Sequence, residues 1–416
     1  MNRASEKRRV VVTGVSGLTP LGNQWDGIET RLRARKNAVR FIEEWRDVVG
    51  LRACLGAPAE EFSLPPERYN RKTTRSMGRV AILACRASEL ALADAGLLED
   101  KALLASGRVG VAYGSSTGAM DATAEFGRLI DTHNVGSLTA NSYIRMMAHT
   151  TPANIAVLFG LTGRIITTSS ACTSGSQGIG YAYESILANH VDVMVAGGAD
   201  ELEVGVLAVF DTLFAASPLN DKPHLTPRPF DRDRDGLVVG EGAATLILEE
   251  YEHARARGAK IYAELVGFGT NGDGTHVTQP RADTQAIAMK LALADAGLPP
   301  EAIGYVNAHG TATDVGDVSE SQATYEVFGS RIPISSLKSY IGHTLGASGS
   351  IEAWWSIEMM RRNWFAPTIN LENVDPRCAE LAYIMGEGLG LECEYVMSNN
   401  FAFGGINTSL IFRRMP

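Results

Sequence analysis

Five cysteines and eight histidines carry most of the nucleophilic and acid–base chemistry open to this 416-residue chain. One cysteine stands out by setting. Cys172 lies in TSSACTSGSQGIG, where a Val/Ile/Thr-rich run ends in small residues and a helical pattern opens near Ser174. The partial positive charge and unpaired N–H groups of a helix N-terminus favour thiolate over thiol, which predicts a lowered pKa and an activated nucleophile. Ala171, Thr173 and Gly175 leave room for a substrate. A free cysteine is also commonly just a small buried hydrophobe, and this segment alone leaves the two readings level. Cys54, Cys85, Cys378 and Cys393 lack such a setting and are assigned to packing. With no C-x-x-C pair and no zinc-type spacing, neither a disulfide framework nor a metal site is expected.

A nucleophilic cysteine needs partners. His309, in IGYVNAHGTATDVGD, and His343, in PISSLKSYIGHTLGASG, each follow an apolar run and enter a loop of small residues. That is the placement of a site residue at the C-terminal ends of strands in an open α/β sheet. Lys338 precedes His343 by five residues, and Glu352 lies in the helical stretch beyond it. His133, His149, His190, His224, His253 and His276 have weaker settings and are assigned to structure or surface. A rival nucleophile is Ser116 in the G-x-S-x-G pattern Gly114, Ser116, Gly118, which suggests a serine hydrolase. The match is weak in a glycine-rich chain with no well-placed Asp and then His after it. GVSGLTPLG lacks the G-x-G-x-x-G of a dinucleotide loop. Arg71, Lys72, Arg75 and Arg79 form a basic run, usually a solvated face, which here also suits docking of an acidic partner.

The elements that would position these residues can be read from periodicity. Short apolar runs at 10–15, 109–113, 165–168, 191–196 and 243–248 read as strands. Stretches 78–95, 175–189, 284–296, 316–328 and 348–362 carry apolar residues at helical spacing without internal proline. The alternation predicts an α/β architecture with a largely parallel sheet. ALADAGL occurs at 91–97 and again at 292–298, each time ending a helical stretch and preceding a strand. The order of later runs also recurs, so two related halves sharing one core are expected, residues 1–255 with the cysteine and 256–416 with both histidines. The 43 glycines cluster at the ends of apolar runs, where backbone turns tightly or approaches a ligand. A net charge of −9 argues against a general nucleic-acid surface. The basic start of the chain has too short an apolar run for a signal peptide, and no stretch suits a membrane span. A reducing cytoplasm is the expected location.

SSACTSG around Cys172, NAHGTATDVGD around His309, SLKSYIGHTLGASG around Lys338 and His343, and SNNFAFGGINTSLIF at the C-terminus together resemble the β-ketoacyl-acyl-carrier-protein synthases. These are the elongating type II condensing enzymes with a Cys-His-His site. The resemblance runs nearly end to end and includes RPFDRDRDGLVVGEGAATLILEEYEHARARGAKIYAELVGFG. It implies an α/β thiolase-like fold, two related βαβ halves in a five-layer α-β-α-β-α core, usually a homodimer. It also implies an acyltransferase that joins an acyl-enzyme to malonyl carried on acyl carrier protein, with loss of CO2, in fatty-acid elongation. Cys172 would be the nucleophile, while His309 and His343 would promote decarboxylation. Backbone N–H groups of Cys172 and of Phe403, the gate residue, would form the oxyanion hole. Lys338 would tune the histidines and Glu352 would support it. Thr311, Thr313 and Phe401 match substrate-arm positions, Thr117 the far acyl pocket, and Arg71, Lys72 and Arg75 the carrier-docking face. No metal or redox cofactor is implied.

Two relatives are set aside. Thiolases use a second cysteine that Cys393 does not match, and initiating synthases carry Asn where His343 stands. Three departures concern the substrate: Asp314 replaces a usual proline, Asn400, Ala402 and Ile406 alter the final motif, and Thr117 is polar. They leave open a specialised ketosynthase for polyene or polyketide chains; separately, a heterodimer with a nucleophile-free homologue stays an alternative to the homodimer.

Overall fold

The computed structural model describes residues 8–415; the start of the chain, whose basic character entered the leader reading, lies partly outside them. Eleven strands make one sheet: β1 Val10–Leu18, β2 Val109–Gly114, β3 Ile165–Thr168, β4 Val193–Asp200, β5 Gly242–Glu250, β6 Ala263–Gly272, β7 Ile303–Asn307, β8 Pro333–Ser335, β9 Ala382–Tyr383, β10 Tyr395–Ala402 and β11 Ile406–Arg414. Their spatial order is β9-β8-β7-β10-β11-β6-β1-β5-β4-β2-β3. Every residue of β1 and β4 is buried, as expected of Val-rich strands covered on both faces.

The order repeats. With the two-residue edge strand β9 left out, and numbered from its own first strand, each half reads third, second, fourth, fifth, first: β3-β2-β4-β5-β1 and β8-β7-β10-β11-β6. The first two junctions in each half are parallel. The last two are antiparallel. The sheet is therefore mixed, not largely parallel. Helix-to-strand alternation signals the crossovers that parallel neighbours require, but the closing strands of each half lie beside their neighbours without one. Val10 to Val12 of β1 pair with Ala263 to Leu265 of β6 and join the halves.

The repeated heptapeptide has a mechanical cause. It closes α1 (Arg79–Asp94) in one half and the helix Ala282–Ala296 in the other. A Cβ on Gly14 of β1 would lie 2.4 Å from the Ala91 carbonyl oxygen, and one on Gly267 of β6 would lie 2.4 Å from that of Ala292. Both strands are irregular beside these glycines. The N–H groups of Val15 and Phe268 are then taken up by Asp94 (2.9 Å) and Asp295 (3.1 Å), the aspartates of the two heptapeptides. Ala for close contact and Asp for the N–H group are thus required twice.

Two buried helices form the middle layer, α2 (Ser174–Leu187) and, from the other half, the helix Ser348–Arg362. α1 covers the outer face of the first half's strands, and helices Ala282–Ala296 and Asp314–Phe328 lie against each other outside the second half's strands, giving five layers. The N-termini of the two middle helices meet closely. A Cβ on Gly349 would fall 2.6 Å from the Ser176 nitrogen, so the loops leading into both helices are brought face to face.

Candidate active site

Those two loops carry Cys172 and His343. Cys172 sits in a single helical turn, Ala171–Thr173, between β3 and α2. Ala171 adopts a left-handed φ of 50°, a sharp turn that lifts the next side chain out of the sheet. His343 follows Gly342, whose φ is 68°, and is pinned on both sides of its peptide: its N–H donates to Val238 (2.7 Å), and its carbonyl accepts from Gly240 (2.9 Å). His309 stands two residues beyond the end of β7. One ligating atom each from Cys172, His309 and His343 lies within 4.8 Å of the others, and all three residues are buried. They border a cavity of about 390 Å³ that opens past Thr311, Thr313, Phe401 and Phe403.

The electrostatics differ from expectation at the cysteine. Burial pushes the Cys172 thiol up to about 12, although Lys338 and the N–H groups of Phe403 and Cys172 act to lower it. The helix N-terminus therefore does not deliver a resting thiolate, because loss of water outweighs it. The two N–H groups that reach the sulfur are the pair expected to bind an oxyanion. Burial, and then the charge of Lys338, hold both imidazoles well below their usual range, so both are neutral. His343 Nδ1 accepts the Leu345 N–H at 3.2 Å, so the ring proton is on Nε2. That Nε2 is buried and has no partner among the described residues. It is a donor waiting for an acceptor.

Lys338 does not border the cavity. Its ammonium, 1% exposed, pairs with Glu352, whose second oxygen accepts from Asn400 at 2.7 Å. Asn400, one of the departures in the final motif, thus completes this buried pair. The other departures are also accommodated. Asp314, where proline is usual, pairs with Arg377, and Ala402 ends β10 in extended backbone. Phe403 is partly exposed and packs on Phe210, ring centroids 5.5 Å apart. Phe401 is buried with its ring 6.1 Å from that of His309.

The remaining candidates lie as follows. Thr117 is exposed, bonds its hydroxyl to the Gly118 carbonyl and does not border the cavity. His276, assigned to the surface, does border its mouth. Ser116 has no histidine partner among the described residues; its N–H donates to Asp200, which leaves a serine triad without a base. Arg71, Lys72 and Arg75 lie on and beside the short helix Arg71–Thr74, exposed and, among the described residues, without a carboxylate partner. Arg79 is drawn off by a bidentate pair with Glu241.

Sequence reasoning missed the acids that hold the His309 loop. Glu320 accepts the N–H groups of His309 and Gly310 (both 2.7 Å), and Asp317 those of Thr311 (3.0 Å) and Ala312 (3.1 Å). They lie three apart on the buried face of the helix Asp314–Phe328. Two carboxylates on the apolar face of a helix that follows a Gly/Thr loop were the available signal.

The chain matches the family model "Beta-ketoacyl synthase, N-terminal domain" over residues 7–254 and "Beta-ketoacyl synthase, C-terminal domain" over 262–372. It is 38% identical to 3-oxoacyl-[acyl-carrier-protein] synthase 2 of Vibrio cholerae, over 98% of this chain and all of that one. A β-ketoacyl synthase crystal structure from Burkholderia phymatum superposes with a TM-score of 0.97 at 61% identity, covering 98% of this chain and all of that one. A type II PKS acyl-carrier protein in complex with its ketosynthase bound to the hexaketide is similar at 29% identity and TM-score 0.87, over 99% and 100% of the chains.

Proposed function

Because the chain belongs to the β-ketoacyl synthase family, we propose that Cys172, His309 and His343 carry out its condensing chemistry, a decarboxylative Claisen condensation in fatty-acid elongation. The observation that carries this reading is the meeting of one thiol with two neutral imidazoles at the end of one cavity.

The steps follow from the groups present. Cys172 sulfur attacks the carbonyl of an acyl thioester borne on acyl carrier protein. Its proton passes to His309, whose Nδ1 has no partner among the described residues, and from there to the departing pantetheine thiolate. The oxyanion of the tetrahedral intermediate lies between the N–H groups of Cys172 and Phe403. Malonyl-carrier protein then enters. Its carboxylate leaves as CO2, and the bonding pair moves onto the thioester carbonyl as an enolate, which accepts the unpartnered Nε2–H of His343. The enolate carbon attacks the acyl-Cys172 carbonyl, the tetrahedral intermediate expels Cys172 thiolate, and the thiolate takes a proton from water. Every electron pair moves between the chain and the two thioesters, so the reading assigns no metal or redox cofactor.

The exposed Arg71, Lys72 and Arg75 supply the face for an acidic carrier protein, and Thr311 and Thr313, their hydroxyls 2.9 Å apart, the grip on its pantetheine arm. A homodimer is supported by β3, an edge strand with Ile165 52% exposed, since an open apolar edge invites pairing. No helix of the described residues is long and apolar enough to cross a membrane, and the free thiols suit a reducing cytoplasm. A two-stage intact-mass experiment tests the chemistry. Acyl-carrier protein should add the acyl mass to the Cys172 peptide, and malonyl-carrier protein should then discharge it as a 3-oxoacyl thioester with one CO2. Release as free acid without need of malonyl would instead support hydrolysis.

A further inference from the structure

The turn that carries Cys172 has a counterpart in the other half. Ala171–Cys172–Thr173 leads into a helix that opens Ser-Gly-Ser, and Leu345–Gly346–Ala347 leads into another that opens Ser-Gly-Ser. Both turns begin with a left-handed residue, Ala171 at φ 50° and Leu345 at φ 51°. Gly346 therefore occupies the place of Cys172. At Cys172 the backbone N–H is turned to the sulfur and to substrate. At Gly346 the same N–H is taken by the carboxylate of Asp200, at 2.6 Å. The same oxygen accepts the Ser116 N–H at 3.0 Å.

Asp200 ends β4, is 2% exposed, and touches none of the reacting groups of the condensation. Its grip on Gly346 bears directly on His343. The Leu345 N–H, one peptide earlier, is the donor that fixes the His343 tautomer. Leu345 is held in a backbone conformation that costs a non-glycine residue about 1 kcal/mol or more, so the turn needs a tether. No side chain fits at residue 346 to supply one, because a Cβ there would lie 2.7 Å from Asp200 and 2.8 Å from the Ser116 nitrogen.

We propose that Asp200 is the positioning residue for His343: by holding the Gly346 and Ser116 N–H groups it fixes the Leu345 turn and keeps the His343 Nε2–H aimed at the enolate. The carboxylate fills the duplicated half's equivalent of an oxyanion donor and turns it into a clasp. It also sits close enough to Cys172 to raise the thiol's pKa. Burial in turn pushes the Asp200 carboxyl up to about 7, and Glu201 beside it adds to that rise.

The inference rests on the proposed function, and the test separates the two. In the full-length enzyme, Asp200→Ala and Asp200→Asn are compared with the unaltered chain in Cys172 acylation, in malonyl-carrier decarboxylation, and in the pH profile of iodoacetamide alkylation of Cys172. Asp200→Ala should slow decarboxylation about 10-fold to 100-fold, the scale of a small misplacement of a reacting group, with acylation within about twofold. Asp200→Asn keeps an oxygen for both N–H groups and should fall less. In both, alkylation should shift to lower pH, because a negative charge near the sulfur is gone. A merely structural residue would slow both half-reactions equally, and that result overturns the proposal; the alkylation shift reports only the nearby charge. If Asp200→Ala does not fold, the Asn variant's rates decide. Absence of decarboxylation in the unaltered chain would fail the functional reading instead.

Discussion

The imidazoles of His309 and His343 stand almost perpendicular, planes at 86° and centroids 5.1 Å apart, and neither ring pairs with a carboxylate among the described residues. A serine-protease histidine is held by an acid that stabilises its imidazolium. Here burial, and then the charge of Lys338 in that neighbourhood, keep both rings neutral. A neutral ring can take up the Cys172 proton for transfer, as His309 would, or donate to an enolate, as His343 would.

Replacing His343 should therefore divide the reaction. His343→Ala removes the Nε2–H donor and should lower malonyl decarboxylation about 10²-fold to 10³-fold, the cost of losing one such donor. Acylation of Cys172, followed by intact mass, should persist. The double variant with His309→Ala should be little worse than the poorer single one, since groups acting as a unit are not additive.

Cys172→Ala should abolish the acyl adduct and lower condensation about 10³-fold or more. Ser116→Ala should leave both within about twofold, since its hydroxyl has no histidine to activate it. Adduct mass and 3-oxoacyl product formation check the pair. An adduct surviving in Cys172→Ala would remove the nucleophile from the scheme.

Lys338→Ala should destabilise the fold by about 3–5 kcal/mol, because Glu352 is left charged and unpaired at 1% exposure. Lys338→Met combined with Glu352→Gln should recover much of that in urea unfolding, since no buried charge remains. Condensation should stay impaired in the double variant if Lys338 also sets the potential at the histidines.

Thermal stability should fall as pH rises from about 6.5 to 8 and level off above that. Burial raises the carboxyls of Asp200 to about 7 and of Glu320 to about 8. Between the unfolded carboxylate value near 4 and these values the native state holds protons that the unfolded chain has released, so their contribution is full at acid pH, shrinks as pH rises and is gone once pH has passed these values. The histidines, lowered in the native state, act the other way and only as pH falls below about 6.5. Glu320→Gln should flatten the decline of Tm across the upper window. An unchanged slope would count against this assignment.

Much of this molecule is legible in the chain. The helical pattern at 348–362 matches the helix Ser348–Arg362 end for end. The doubled ALADAGL marks two helices that each need an alanine against a strand glycine and an aspartate for an irregular strand's N–H. Local spacing writes such features directly. Cys172, His309 and His343 could be singled out because strand ends that enter small-residue loops are a sequence pattern too.

Other features depend on what lies across the fold, and no local pattern encodes that. The sheet is mixed because the closing strands of each half return beside their neighbours without a crossover. The thiol is raised, not lowered, because residues from both halves exclude water from it. Asp200 is bound to a loop 146 residues away, and Thr117 is exposed and does not border the cavity that holds Cys172. The sequence determined which groups are available for chemistry and which elements carry them. Tertiary packing decided how far each group is from water and from the others, and through that their charge states and partners.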